Sequence, residues 1–532
     1  MRGADLLIKS IVAAGIDKIF TLSGNQIMPI FDAAINSKID LIHCRHEAAA
    51  VFMADGYAQT SGKVGIALVT AAPGFSNALG PLYAIRASQS PVLLLSGDSP
   101  FNQRNLMPFQ ELDQISISRG LVKKSSLIRK GNLIASEIVK GISIAKTGRP
   151  GPVHLALPFD LLNEEVKNIS ISQKEKYQQK LSIIDIKSKS LIFKLLKKSS
   201  KPLIITGPSL LEFRNKKLYD QINTSLNIPI ISMTSPRGTN DPALGRIKTI
   251  LEEADFIISI DKDIDFTLGN GSREVIKAES IVLLASEEKT ISHAKQTLKE
   301  RLKFSFISDP ISSISFLIEK GETKEYYSWS NRVKKLLKER PKPLSRKGEK
   351  ITPDALCRIV VNELEHIKDI IYISDGGEFG QWAQAAIPIQ NLFTNGLSGA
   401  IGGAIPQAIG ASLANPKSTI VSFMGDGTAG FQIAEWETAR RFNLPIIYII
   451  GNDRRWGAEV EIQKRDYGLE RAKYCILDSL TRYDIIAKGF GCEGFFTNSE
   501  SGLKKAIKHS LLTKKTTVID IEMEGFPAPS FS

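Results

Sequence analysis

The chain has 532 residues, 42% of them hydrophobic and 23% charged; this is an ordinary globular balance, but too long for one core, since single cores rarely grow past roughly 250–300 residues. Lys and Arg number 69 against 56 Asp and Glu, giving a formal charge of +13. The basic residues are scattered over 196–201, 214–218, 345–350 and 513–515 without interleaved aromatics, so no nucleic-acid partner is expected and solvated basic faces that attract small anions are.

In chain order, three blocks of alternating strand and helix patterns emerge. The first has apolar, strand-like runs at 64–70, 91–96 and 153–157 and is bounded as residues 1–165. A polar stretch, NEEVKNISISQKEKYQQK, reads as a surface linker. The second block, 186–320, carries runs at 201–207, 228–233, 254–261 and 280–286. After a second linker, ERPKPLSRKGEK, the third block, 351–532, opens on a helix predicted to be capped by Thr352 with Pro353 in its first turn. Its strand candidates are 369–375, 418–425, 445–451 and 516–523. The pattern predicts an α/β fold class of three consecutive doubly wound parallel sheets. No apolar run is long enough to span a membrane and MRGADLLIKS lacks a signal core. Cys44, Cys357, Cys475 and Cys492 form no CxxC pair. A cytoplasmic protein with reduced thiols and no membrane partner is expected.

Chemistry concentrates in VSFMGDGTAGFQIAEWETARRFNLPIIYIIGND, which reads as strand, glycine turn, helix, strand. Asp426 ends the first strand and Asn452-Asp453 the second. Neighbouring parallel strands bring such ends together, where ligands of open α/β sheets bind. Oxygen donors there suit magnesium, and Gly427 admits a diphosphate close to the backbone. Taken alone, GDG reads equally well as a tight turn.

The GDG…N(N/D) frame, with Asp426 and Asp453 27 positions apart, resembles the thiamine diphosphate (ThDP) motif of the acetolactate synthase, pyruvate decarboxylase and 2-hydroxyacyl-CoA lyase superfamily. The resemblance implies three domains: pyrimidine-binding, middle and diphosphate-binding. It implies magnesium held by Asp426, Asp453 and the backbone carbonyl of Arg455, with Gly425, Gly427 and Thr428 at the diphosphate. Most members carry Asn where this chain has Asp453. RHEAAAVFMADGYA is similar to the pyrimidine-domain segment, which gives Glu47 the role of holding the cofactor's aminopyrimidine in its proton-accepting form. Gly74 and Asn77 of PGFSNAL are implied along the pyrimidine pocket. TNGLSGAIGGAIPQAIGA resembles the stretch supporting the bent cofactor, with Gly399 at the backbone and Ile401 wedged between the rings. Gly377 and Glu378 stand where acetolactate synthases place a diphosphate contact. Asn25, Gln26 and Gln110 are implied near the reacting carbon, where amides can bond a carbonyl or alkoxide.

These motifs imply a carboligase or decarboxylase of a 2-oxo acid, acetolactate synthase-like, with a small-molecule substrate. SPRGTNDPALG in the middle block is instead similar to oxalyl-CoA decarboxylases and 2-hydroxyacyl-CoA lyases, which remain the alternative. FAD, bound by acetolactate synthases in that block, finds no matching contact set here and stays open. A non-catalytic ThDP-binding regulator is the reading of another class, disfavoured by the presence of Glu47. The superfamily's habit of building one site from two subunits implies a homodimer or homotetramer with active sites at the subunit interface.

Overall fold

The computed structural model describes residues 1–167, 171, 184–225, 227–319, 326–344, 350–394 and 396–531; most of the two predicted linkers lies outside them. The first sheet comprises β1 (Lys18–Thr21), β2 (Asp40–His43), β3 (Gly65–Val69), β4 (Val92–Asp98), β5 (Lys124–Leu127) and β6 (Val153–Pro158), in the order β2-β1-β3-β4-β6-β5. The second holds β7 (Pro202–Thr206), β8 (Ile230–Ser232), β9 (Phe256–Ile260), β10 (Ser280–Ala285) and β11 (Leu302–Ile307), ordered β11-β10-β9-β7-β8. The third contains β12 (Ile370–Ser374), β13 (Leu392–Thr394), β14 (Thr419–Gly425), β15 (Ile446–Asn452), β16 (Glu493–Thr497) and β17 (Thr517–Glu522), ordered β13-β12-β14-β15-β17-β16.

All pairings between these strands are parallel, and separate apolar clusters cover the two faces of each sheet. This is the expected α/β class. The first and third sheets share one strand permutation, so the two outer blocks are built on the same plan. The strands absent from the sequence reading are β1, β2, β5, β11, β13 and β16. All but β1 lie at a sheet edge, and an edge strand shows a weaker apolar run because part of it faces water. Helix Tyr327–Lys338 also joins the middle core, where Trp329 donates its indole N–H to Pro202 O at 2.7 Å. The third block opens at Pro353 as predicted, but the Thr352 hydroxyl donates to Asp354 Oδ1 at 2.7 Å rather than capping a backbone N–H. No described helix is long and apolar enough to cross a membrane.

The outer blocks meet through helices Glu47–Ser61 and Ala404–Ala414, whose small residues belong to one continuous apolar cluster. A Cβ on Gly56 would overlap the Gln407 carbonyl oxygen, and one on Gly410 would overlap that of Met53. Backbones at this spacing exclude any side chain. Between them Asp55, wholly buried, accepts from Gln407 Nε2 at 2.9 Å and Gln59 Nε2 at 2.8 Å. The middle block is tied to the first by Arg149, whose guanidinium meets both oxygens of Asp263 at 2.9 Å and Asp261 at 3.3 Å.

Gly410→Val should therefore destabilise the protein by roughly 1–3 kcal/mol through overpacking, seen as a lower urea midpoint. Gly80→Ala, at an exposed position of helix Leu79–Ala87 with no atom of the described residues near its Cβ position, should be neutral or stabilising by about 0.5–1 kcal/mol.

Candidate functional site

The carboxyl ends of β12, β14 and β15 surround a cavity of about 250 Å³ whose lining includes Gly377, Gly399, Ile401, Gly427, Thr428 and Arg455. Strand register explains why they converge: Gly425 lies opposite Gly451, so both chains leave the sheet at the same level. From there Asp426 starts a single helical turn, Asp426–Ala429. Gly427 has no room for a side chain, since a Cβ would sit 2.9 Å from the Trp456 ring. Gly377 begins helix Gly377–Ala386 at φ +85°, a conformation that suits glycine.

One residue organising this end of the sheet was not singled out from sequence. Asp375, buried at the tip of β12, accepts backbone N–H groups from Gly376 at 2.7 Å, Gly402 at 3.0 Å and Ala404 at 3.1 Å. It pins the loop carrying Ile401 against the glycine turn, and Ile401 Cγ2 lies 2.7 Å from where a Gly376 Cβ would be. Its only sequence signal was a carboxylate at a strand end followed by two glycines.

Asp426 and Asp453, at the ends of neighbouring strands, do not themselves line the cavity but lie close in sequence to Gly427 and Arg455, which do. Burial and the neighbouring Asp453 push the Asp426 carboxyl up to about 7, and burial likewise raises Asp453. Paired buried carboxylates that repel one another, on adjacent strand ends, fit a hard divalent cation, which would relieve the repulsion. Among the described residues no group of three or more His, Cys, Asp or Glu is arranged to hold a metal, so further donors would be backbone carbonyls or ligand oxygens. Asp453 is engaged on one side: Arg455 Nε reaches its Oδ2 at 2.7 Å, and Arg455 Nη1 reaches Glu461 Oε1 at 3.1 Å. Glu378 does not line the cavity. It packs beside Gly457, takes a 3.3 Å hydrogen bond from Gln381 Nε2, and has its carboxyl raised by burial, partly offset by Arg237.

A second set of residues gathers in the first block. Glu47 begins helix Glu47–Ser61 and is buried; its Oε2 accepts from Asn77 Nδ2 at 3.1 Å, while Oε1 sits 3.3 Å from the Cβ position of Gly74. His46 is the helix cap, its Nδ1 accepting the Ala48 N–H at 3.1 Å. Gln26, buried, accepts from Thr70 Oγ1 at 2.7 Å and donates to Gln110 Oε1 at 2.8 Å. Asn25 is exposed one residue away. Glu435, from the third block, was not found by sequence reasoning. Its Oε1 accepts the Arg45 N–H at 2.9 Å and its Oε2 the Thr438 hydroxyl at 2.7 Å, fixing the approach to Glu47. Burial pushes its carboxyl up to about 7. Among the described residues none of the first block lines the cavity, so within one chain the two sets stay apart.

Two family models match the chain: the thiamine pyrophosphate enzyme N-terminal TPP binding domain over residues 1–117 and the C-terminal TPP binding domain over residues 375–521. The chain is also similar to acetolactate synthase large subunits. That of Buchnera aphidicola subsp. Schizaphis graminum is 28% identical, covering 95% of this chain and 91% of the relative. The Haemophilus influenzae protein is 26% identical over 98% and 95%. Isozyme 3 of Escherichia coli is 24% identical over 99% and 95%.

Glu435 titrates in an informative direction. Its folded pKa lies above the ordinary glutamate value, so the stability it contributes is complete below about 4.5 and lost as pH rises through about 7. Glu435→Gln keeps the acceptor for Arg45 and should flatten the fall in melting temperature across that window. Glu435→Ala removes the acceptor of the Arg45 N–H and of the buried Thr438 hydroxyl and should cost about 1–3 kcal/mol at all pH values.

Proposed function

The chain belongs to the thiamine diphosphate-dependent enzyme superfamily as an acetolactate synthase-like, carbon–carbon bond-forming enzyme, and from that premise we propose a magnesium-dependent carboligase or decarboxylase acting on a 2-oxo acid. The observation that carries this reading is the glycine-lined cavity beside the strand ends that carry Asp426 and Asp453, matched by a separate Glu47–Asn77 pair in the first block, with Glu47 buried. Bound ThDP supplies the nucleophilic carbon and the electron sink. The protein residues position and protonate. Asp426, Asp453 and the Arg455 carbonyl hold the cation; Gly377, Gly425, Gly427 and Thr428 receive the diphosphate; Gly399 and Ile401 support the rings.

Glu47 holds a proton at the pyrimidine ring, and Asn77 keeps the carboxylate oriented while Gly74 leaves room for the ring. Gln26 and Gln110 offer amides to a substrate carbonyl. Arg237, from the middle block, lines the cavity and suits a substrate carboxylate. The same guanidinium suits an acyl-CoA phosphate, the feature that favours lyase or oxalyl-CoA decarboxylase chemistry as second reading.

Because no described first-block residue reaches the cavity, we assign completion of the site to a second copy in a homodimer or homotetramer. Leu106, Met107 and Phe109, strongly exposed beside Gln110, and Tyr474 and Leu480 beyond the metal corner support such burial. The proposed division is 1–165 for pyrimidine binding, 186–320 for the middle domain and 351–532 for diphosphate binding. Four free cysteines support a cytoplasmic location.

Glu47→Gln should bind ThDP and magnesium as the parent does yet lose turnover by about 100-fold or more, the scale of a lost acid–base group; full activity in that variant would overturn the role. Incubation with pyruvate, 2-oxobutyrate, glyoxylate or short 2-hydroxyacyl-CoAs, with products identified by mass spectrometry, selects between the two substrate classes. The carboxyl end of β9, where an open sheet takes a nucleotide, is occupied by the Arg149 pairs with Asp261 and Asp263. Purified protein is accordingly expected to show no flavin absorbance.

A further inference from the structure

We propose that the Arg455 side chain is a built-in counter-ion that allows an aspartate to serve at position 453 without making the metal corner too negative for a diphosphate. The proposal rests on the assignment of Asp426 and Asp453 to the cation. A divalent cation between one carboxylate and one neutral amide leaves a net positive charge facing the diphosphate. Between two carboxylates that charge is cancelled, and an anionic ligand would meet a neutral corner. A single guanidinium restores the balance, provided it lies against the added carboxylate and cannot swing away.

The geometry meets both conditions. Arg455 Nε stands 2.7 Å from Asp453 Oδ2, with the two side chains 11% and 10% exposed. At that depth the pair is weakly screened, so its charges act at nearly full effect on whatever enters the cavity. The guanidinium is also locked. Glu461 takes Nη1 at 3.1 Å and is itself held by Lys464 Nζ at 2.9 Å. Gly525 completes the seat, because any Cβ there would overlap the guanidinium. Among the described residues Nη2 is buried beside Gly525 without a hydrogen-bond partner, and Arg455 is among the residues lining the cavity. Arg455 therefore has two separable parts: a backbone carbonyl for the cation, which any residue could offer, and a side chain whose charge is specific to the aspartate two positions earlier.

The test is a charge cycle read by calorimetric binding rather than turnover. ThDP affinity is titrated at saturating magnesium for the parent, R455Q, D453N and D453N/R455Q. R455Q should weaken ThDP binding about tenfold or more, the scale of one unit charge across a partly buried site. D453N should instead weaken magnesium binding, since it leaves the guanidinium facing the cation. The double variant, with neither charge, should return both affinities to within about threefold of the parent, a non-additivity expected only of coupled groups. R455K, which keeps the charge but not the fork, should bind ThDP more tightly than R455Q. Equal ThDP affinity in the parent and R455Q, or additive losses in the double variant, would overturn the proposal. Should R455Q fail to fold by circular dichroism, the comparison of D453N with the double variant decides it, because relief of the magnesium defect requires the same charge coupling. A parent protein that binds no ThDP with magnesium is a different result and removes the underlying assignment instead.

Discussion

The close contact between helices Glu47–Ser61 and Ala404–Ala414 is the constraint on which the rest depends. Gly56 and Gly410 bring two backbones together so tightly that no side chain fits between them, and the buried Asp55 accepts from Gln407 across the seam and from Gln59 on its own helix. An unpaired buried carboxylate would be costly, so the seam has one permitted register. Helix Glu47–Ser61 is thereby spent on joining the outer blocks. Its first residue, Glu47, is left at the end of the seam, and the cavity over the third sheet opens elsewhere.

The second organising element is electrostatic. At the tips of the third sheet, Asp375 is satisfied by backbone N–H groups, whereas burial raises the proton affinity of both Asp426 and Asp453, and Asp453 adds to the rise at Asp426. Asp375 accepts three backbone N–H groups and fixes the Ile401 loop; Asp426 and Asp453 are the pair that the proposed reading gives to a cation. Glu435 combines the two behaviours, holding the backbone ahead of Glu47 while its own burial lifts its carboxyl towards neutrality.

Much of this was legible in the sequence because the signals were local. Central strands such as β4, β14 and β15 are buried on both faces and read as continuous apolar runs, while β5, β11 and β16 at the edges are only partly buried and contain polar residues, which leaves no such run. Asp426, Asp453 and Ile401 were singled out because short segments of the chain resemble family motifs. Asp375 and Glu435 were not, since what defines them is backbone donors brought near by folding: residues 402 and 404 for one, residue 45 for the other. A side chain recognising distant backbone leaves no pattern of residue types to read.

The same reasoning explains why a single chain looks unfinished. The first and third sheets share one strand order, so each presents a crevice at the carboxyl ends of its strands, and the helix seam joins the blocks without bringing those crevices together. On the proposed reading each chain would carry two half-sites, one rich in carboxylate and amide groups around Glu47, the other in glycine and oxygen donors around Asp426. Pairing two copies with the halves crossed would complete two sites at once and would place the exposed Leu106, Met107 and Phe109 next to the chemistry they flank in sequence. In the proposed arrangement the tight seam within each chain holds the Glu47 group outside the cavity, and a second copy would supply it.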